Sequence, residues 1–100
     1  MTVLKFEGVK YWSELDEQAF FWWIDHIQSV ASISGDGRIL TLNIEEGKIS
    51  DTDLRELLAL AFRYGCDMSQ FSQFLTASNS RWFFGNDEAY WHNAVFQNHE

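Results

Sequence analysis

A hairpin signature in the middle of the chain constrains the fold more than any other feature. Gly35-Asp36-Gly37 supplies turn-forming residues between a β-tolerant segment, 29–34, and a segment, 38–45, in which apolar and polar residues alternate. One face of this second segment carries three apolar residues: Leu40, Leu42 and Ile44. Alternation with a period of two is typical of a half-buried strand. The pattern therefore predicts a β-hairpin and, with it, an antiparallel sheet.

Two Ser-x-x-Asp motifs predict where two helices begin. Ser13 precedes Asp16 and Ser50 precedes Asp53, the spacing at which a serine caps a helix N-terminus. The first helix is predicted to run to about residue 27 and to turn one stripe of side chains toward the core: Leu15, Ala19, Trp22, Trp23 and Ile27. The second helix is apolar over most of its surface and ends near Gly65, so we expect it to be the central buried helix.

The remaining segments complete the predicted order of elements. Residues 2–9 alternate loosely and indicate an N-terminal strand. Asp67 is predicted to cap a short helix that ends near residue 75, and Asn86 or Asp87 to cap another that ends near residue 96. The order β-α-β-β-α-α-α indicates an α+β fold. We expect a small antiparallel sheet, made by the N-terminal strand and the hairpin, to pack against several helices.

Size and charge limit the kinds of partner. One hundred residues without proline, linker or internal repeat predict a single globular domain over 1–100. Fifteen acidic and seven basic residues give a net charge of −8. This charge repels phosphate backbones and anionic lipid surfaces, so we expect neither a nucleic-acid nor a membrane partner. A basic protein is the electrostatic complement.

The only cysteine, Cys66, and the lack of a signal-peptide pattern favour a cytoplasmic location.

The aromatic run Phe20-Phe21-Trp22-Trp23 indicates a binding surface. Successive helical residues point about 100° apart, so the four rings cannot share one buried face. With the predicted stripe in the core, Phe21 faces outward, within two turns of three carboxylates: Glu14, Glu17 and Asp25. An exposed ring framed by carboxylates suits a basic partner with an apolar pocket. The alternative is that another segment of the chain covers Phe21.

A second candidate surface is the acidic segment over residues 45–56. Carboxylates in the first turn of a helix stabilise its dipole, which explains part of this charge. Such a segment can also pair with lysine and arginine side chains that would otherwise grip phosphate in a nuclease. The candidate contacts are Glu45, Glu46, Asp51 and Asp53. The alternative interpretation of the acidic segment is a solvated charged loop.

A third candidate, the C-terminal aromatic cluster over 82–96, is expected to lie mostly in the core.

The sequence carries no recognisable catalytic, cofactor or metal-binding motif. Glu88 and His92 lie one helical turn apart but lack a third ligand. His26 falls on the predicted core stripe, where we expect a hydrogen-bonded imidazole. Cys66 lies beside Asp67, whose charge should raise the pKa of the thiol, so a buried apolar role is expected. We predict a protein that is not an enzyme and has no cofactor and no metal.

The C-terminal half carries two segments, LLALAFRYGCDMSQFSQFL and RWFFGNDEAYWHNAVF. Over residues 54–96, their leucine and aromatic placement resembles the immunity proteins of contact-dependent growth inhibition, small bacterial proteins that accompany polymorphic toxins. The resemblance implies a cytosolic protein that binds the toxic domain of a delivered toxin and blocks its active site. From the charge of the chain we expect this domain to be a basic nuclease, bound by a monomer in a one-to-one complex. The alternative is a regulatory or adaptor module that self-associates, for example as a homodimer, through exposed aromatic rings.

Overall fold

A computed structural model describes residues 2–45 and 49–96. The chain divides into two compact units, Met1–Asp67 and Met68–Glu100. The first unit contains β1 (Thr2–Glu7), α1 (Glu14–Asp25), β2 (Val30–Asp36), β3 (Ile39–Ile44) and α2 (Asp51–Arg63). The second contains a 3₁₀ helix (Ser69–Phe74), α3 (Ser80–Phe83) and α4 (His92–Phe96). A small antiparallel sheet with several helices confirms the α+β prediction. That the chain forms a single domain stays a prediction.

The sheet has the strand order β1-β3-β2, with both pairings antiparallel. The central strand β3 places Leu42 opposite Leu4 of β1 and opposite Ile33 of β2. Alternate residues on one face are buried: Leu4, Phe6, Leu42 and Ile44. The hairpin prediction is therefore confirmed. Its turn lies at Gly37 and Arg38 rather than at residues 35–37, because Gly35 and Asp36 continue β2 and pair with β3. The φ of 64° at Gly37 is a conformation that glycine adopts without steric cost.

Helix α1 begins where the sequence predicts, but it buries a different face. The Oγ of Ser13 accepts a hydrogen bond from the backbone N–H of Asp16 at 3.1 Å. Of the predicted core stripe, Ile27 is buried and Trp23 half-buried, whereas the other three are exposed: Leu15, Ala19 and Trp22. The buried residues within the helix are Phe20 and Ile24. Apolar residues surround α1 on most sides, so periodicity fitted more than one phase and packing against other segments selected this one.

Helix α2 is the central buried helix that the sequence predicts for this part of the chain. The Oγ of Ser50 caps it by accepting from the backbone N–H of Asp53 at 3.0 Å. Its buried residues are Leu54, Leu57, Leu58, Leu60 and Ala61. At the other end, Gly65 has a φ of 72° and the N–H of Cys66 donates to the carbonyl of Ala61 at 2.9 Å. This six-to-one bond is the Schellman arrangement that a glycine beyond the helix end favours.

The second unit departs from the predicted helix boundaries. Met68, rather than Asp67, occupies the N-cap position of the 3₁₀ helix, and no side chain caps it. Asn86 accepts from the N–H of Glu88 at 3.3 Å without starting a helix, and α4 begins only at His92. Helix α3 is not anticipated by the sequence. A loop around buried Asn79 precedes it, since the Asn79 side chain bonds the N–H of Thr76 and the carbonyl of Phe74.

Candidate partner-binding site

The packing of Phe20 decides which half of α1 faces solvent. Its ring is fully buried and lies edge-on to two tyrosines, 4.8 Å from Tyr64 and 5.5 Å from Tyr11 between centroids. Phe6 of β1 lies 6.4 Å away. Rings from three separate segments therefore enclose Phe20. This enclosure turns three of the five residues predicted as core, Leu15, Ala19 and Trp22, toward solvent.

The solvent-facing half of α1 carries an apolar stripe: Leu15, Ala19 and Trp22. Leu15 is 74% exposed and Trp22 63% exposed, values far above those of a core residue. The Trp22 ring stacks on the imidazole of His26 at 4.0 Å between centroids, and Nδ1 of His26 donates to the Trp22 carbonyl at 2.8 Å. His26 is exposed rather than in the core, so its prediction was right about hydrogen bonding and wrong about burial.

A groove of about 530 Å³ runs beside this stripe, between α1 and α2. Its lining residues are Ala19, Trp22, Trp23, His26, Ile27, Thr52, Asp53 and Glu56. The indole Nε1 of Trp23 donates to Oε1 of Glu56 at 2.9 Å, which joins the two helices across the groove. The groove therefore combines an apolar wall from α1 with carboxylates from the N-terminal half of α2.

The predicted acidic stripe is also exposed, and its residues Glu14 and Asp25 lie next to the apolar stripe. Glu14, Glu17 and Asp25 are all exposed on α1. Helical geometry places residues 14, 21 and 25 about 100° around the axis from residues 15, 19 and 22. Phe21 is 36% exposed, because Tyr11 and Phe20 pack against it at 6.1 Å and 5.1 Å. Another segment thus covers part of Phe21, and Trp22 is the more exposed ring.

Only part of the acidic segment is free to meet a partner. Asp53 is half-buried, and its Oδ2 accepts from the N–H and the Oγ of Ser29 at 2.9 and 2.6 Å. The N–H of Glu45 donates to the Ser29 carbonyl at 2.8 Å, while its side chain is exposed. Asp51 is exposed in the first turn of α2. Glu46 lies outside the described residues. Asp53 therefore has a structural role that the sequence analysis missed.

Two cations lie close to the predicted contacts Glu17 and Phe21. Glu17 and Phe21 line a second cleft, separate from the groove between α1 and α2. This cleft is also lined by Lys10, from the loop after β1, and by Arg38, from the β2–β3 turn. They are 28 positions apart in the sequence, so no local pattern links them. The pairing of Glu7 with Ile39 brings the ends of β1 and β3 together and, with them, the two segments that carry the cations.

Several ionisable groups of the first unit have displaced pKa values. Hydrogen bonds from the Trp12 backbone and the Tyr64 hydroxyl lower the pKa of Asp16. Burial, together with the bond to Asp16, raises the pKa of Tyr64 to about 12. Burial and the charge of Glu17 raise the pKa of Tyr11. Burial raises the pKa of Cys66 to about 11, so the predicted direction is confirmed and the predicted cause, Asp67, is wrong.

The imidazole of His92, in the second unit, is bound to the backbone. His92 is buried, and its Nε2 donates to the carbonyl of Phe84 at 2.7 Å. Glu88, which the sequence places one turn away, is exposed. Among residues 2–45 and 49–96, no group of three or more His, Cys, Asp or Glu side chains could hold a metal ion. In the same described part of the chain, no helix is long and apolar enough to cross a bilayer.

Comparison of the chain with protein-family models, with curated proteins and with solved structures found no match.

Proposed function

We propose that this chain is an immunity-type inhibitor that acts in the cytoplasm by binding a basic toxic domain, a nuclease, and occluding its active site. The solvent-facing half of α1 is the contact surface. The observation that carries this proposal is the adjacency of two stripes on one helix. Leu15 and Trp22 are more than 60% exposed, and the carboxylates of Glu14 and Asp25 lie beside them.

The acidic stripe supplies attraction and orientation. Glu14, Glu17 and Asp25 present carboxylates along the exposed length of α1, in a chain whose net charge is −8. Opposite electrostatic fields raise the rate of association with a basic protein and fix the register of the complex. Exposed charge pairs are screened by salt, so this part of the interaction should weaken as ionic strength rises.

The groove between α1 and α2 supplies the anchor for a basic side chain. Trp22 offers an exposed indole face, and Glu56 of α2 places a carboxylate in the same groove. A guanidinium or ammonium group can stack on the indole and bond to a carboxylate. An arginine or lysine that a nuclease uses to hold phosphate has this chemistry. Occupation of the groove by such a residue would remove it from the nuclease active site.

The test is capture of the partner by the tagged protein from lysate of its source cells, at low and high salt. The wild type should retain one basic domain in one-to-one amount, and purified chain should inhibit that domain's nuclease activity. A double variant that carries Glu14→Gln and Asp25→Asn should associate more slowly, and its association should depend less on salt. The matched control is a double variant of two exposed acids in the second unit, Asp87→Asn and Glu88→Gln. It should bind as the wild type does. Equal loss in both pairs would refute the α1 surface.

Self-association through the same half of α1 is the second candidate function. Leu15 and Trp22 of α1 are 74% and 63% exposed, Trp12 just before the helix is 84% exposed, and a homodimer would bury such apolar side chains. In that case the chain would act as an adaptor or regulatory module. Sedimentation equilibrium over a range of concentrations separates the two functions. A monomer at all concentrations supports the inhibitor, whereas a dimer that Trp22→Ala dissociates supports the adaptor.

A further inference from the structure

A second cleft, on the side of α1 that carries Glu17 and Phe21, has a different chemistry from the groove beside Trp22. It has a volume of about 370 Å³ and is formed by the loop after β1, by α1 and by the β2–β3 hairpin. Its lining residues are Gly8, Val9, Lys10, Tyr11, Glu17, Phe21, Gly37, Arg38 and Leu40. In a chain with more than twice as many acids as bases, two cations and one acid line this cleft.

The backbone around Gly8 holds the Arg38 guanidinium at this cleft. Gly8 has a φ of 67°, and its N–H donates to the carbonyl of Arg38 at 2.8 Å. A Cβ on residue 8 would lie only 2.9 Å from Nη2 of Arg38, so the guanidinium rests against the bare glycine backbone. Lys10 follows two residues later in the same loop. The turn and the loop thus present both cations to one concave surface.

The charges of Lys10 and Arg38 are not paired with carboxylates of the described residues. Within residues 2–45 and 49–96, neither the Lys10 ammonium nor the Arg38 guanidinium has a hydrogen bond or an ion pair. Fifteen acids are available in the chain, so this absence of pairing does not result from a shortage of carboxylates. A guanidinium and an ammonium that converge on a cleft bind an oxyanion well, since charge-assisted hydrogen bonds to carboxylate are strong.

The rest of the cleft is apolar and only partly covered. Phe21 keeps 36% of its surface exposed and packs on the half-buried ring of Tyr11. Val9 and Leu40 are half-buried in the same lining. Such a surface gains stability when an apolar group covers it. A bare inorganic anion would satisfy the cations and leave this surface exposed.

We propose that the cleft of Lys10 and Arg38 binds a carboxylate that is carried on an apolar group. The carboxylate lies between the two cations, and the apolar group covers Phe21 and Tyr11. The source is either a free apolar acid or an acidic side chain flanked by apolar residues on a partner protein. This site is independent of the stripe of Leu15 and Trp22, so either proposal can fail without the other.

The test titrates the full chain with 3-phenylpropionate and with its uncharged amide, and follows backbone amide signals by NMR. The acid should shift the signals of residues 8–11 and 37–40 and bind at least roughly tenfold more tightly than the amide, because only the acid pairs with the cations. Lys10→Met and Arg38→Met should each weaken binding of the acid by roughly tenfold. Arg81→Met, which removes an exposed cation of the second unit, should leave it unchanged.

Two further ligands identify the source and provide the strictest check. A peptide with blocked ends and a glutamate between leucines that binds more tightly than the free acid supports a protein source. Tighter binding of the free acid supports a small-molecule source. Inorganic phosphate that binds as tightly as 3-phenylpropionate would overturn the proposal, as would equal shifts from the acid and the amide.

Discussion

The hydroxyl of Tyr64 donates a 2.7 Å hydrogen bond to Oδ1 of Asp16 and so ties the end of α2 to the first turn of α1. The other carboxylate oxygen of Asp16 accepts from the N–H of Trp12 at 3.0 Å. The Tyr64 ring also encloses Phe20. One side chain thus fixes both the N-terminal end of α1 and its buried face. The orientation of the candidate binding surface depends on this contact.

Tyr64 should make the stability of the fold depend on pH in the alkaline range. Its pKa is raised from 10.0 to about 12, so the folded state disfavours the tyrosinate. The corresponding stabilisation is complete below pH 10 and is lost as the pH rises from 10 toward about 12. Tyr64→Phe should therefore lose less stability across that window. Urea denaturation of both proteins, followed by tryptophan fluorescence, measures the difference.

Phe20 and Leu15 should differ sharply in their effect on stability, because α1 buries the face of Phe20. Phe20 is 0% exposed and Leu15 74% exposed. Phe20→Ala should lower the free energy of unfolding by roughly 3–5 kcal/mol, and Leu15→Ala by under about 0.5 kcal/mol. Chemical denaturation of the two variants checks this. A larger loss for Leu15→Ala than for Phe20→Ala would mean that α1 buries the face that the sequence alone predicted.

Asp53 should behave as a structural residue and its neighbour Asp51 as a surface residue. Asp53→Ala removes the carboxylate that accepts from the N–H and the hydroxyl of buried Ser29 and should cost roughly 2 kcal/mol of stability. Asp51→Ala, also in the first turn of α2, removes only a favourable charge near the helix dipole, about 0.5 kcal/mol. Thermal or urea unfolding gives both values. Similar losses would mean that the Ser29 contact contributes little.

Trp22 should contribute more to partner binding than Phe62, a ring of similar exposure in the same unit. Trp22→Ala should weaken the complex by about 2 kcal/mol, roughly 30-fold in Kd, since exposed tryptophans at interface centres are frequent hot spots. Phe62 is 56% exposed on α2 and does not line the groove, so Phe62→Ala is the control. Titration calorimetry with the captured partner measures both. A larger loss for Phe62→Ala would place the interface on another face.

The sequence by itself determined the local features of this fold. Both serine caps and the glycine end of α2 stand where their motifs predict, because each depends on residues within a few positions of one another. The hairpin also forms as predicted, with its turn shifted from residues 35–37 to residues 37–38. The alternation in β3 likewise determined which of its residues are buried. Exposure of Glu14, Glu17 and Asp25 also followed, since carboxylates seldom lie buried.

Tertiary structure alone decided which apolar face of α1 is buried and which charges share a cleft. Phe20 lies in the core because the rings of Tyr11 and Tyr64 pack around it, whereas Trp22 lies outside the core. Hydrophobic periodicity does not decide which of two apolar helix faces is buried. Lys10 and Arg38 line one cleft because strand register joins their segments. Contacts between distant segments have no local sequence signal. They are set by packing, which selects one arrangement among several that periodicity allows.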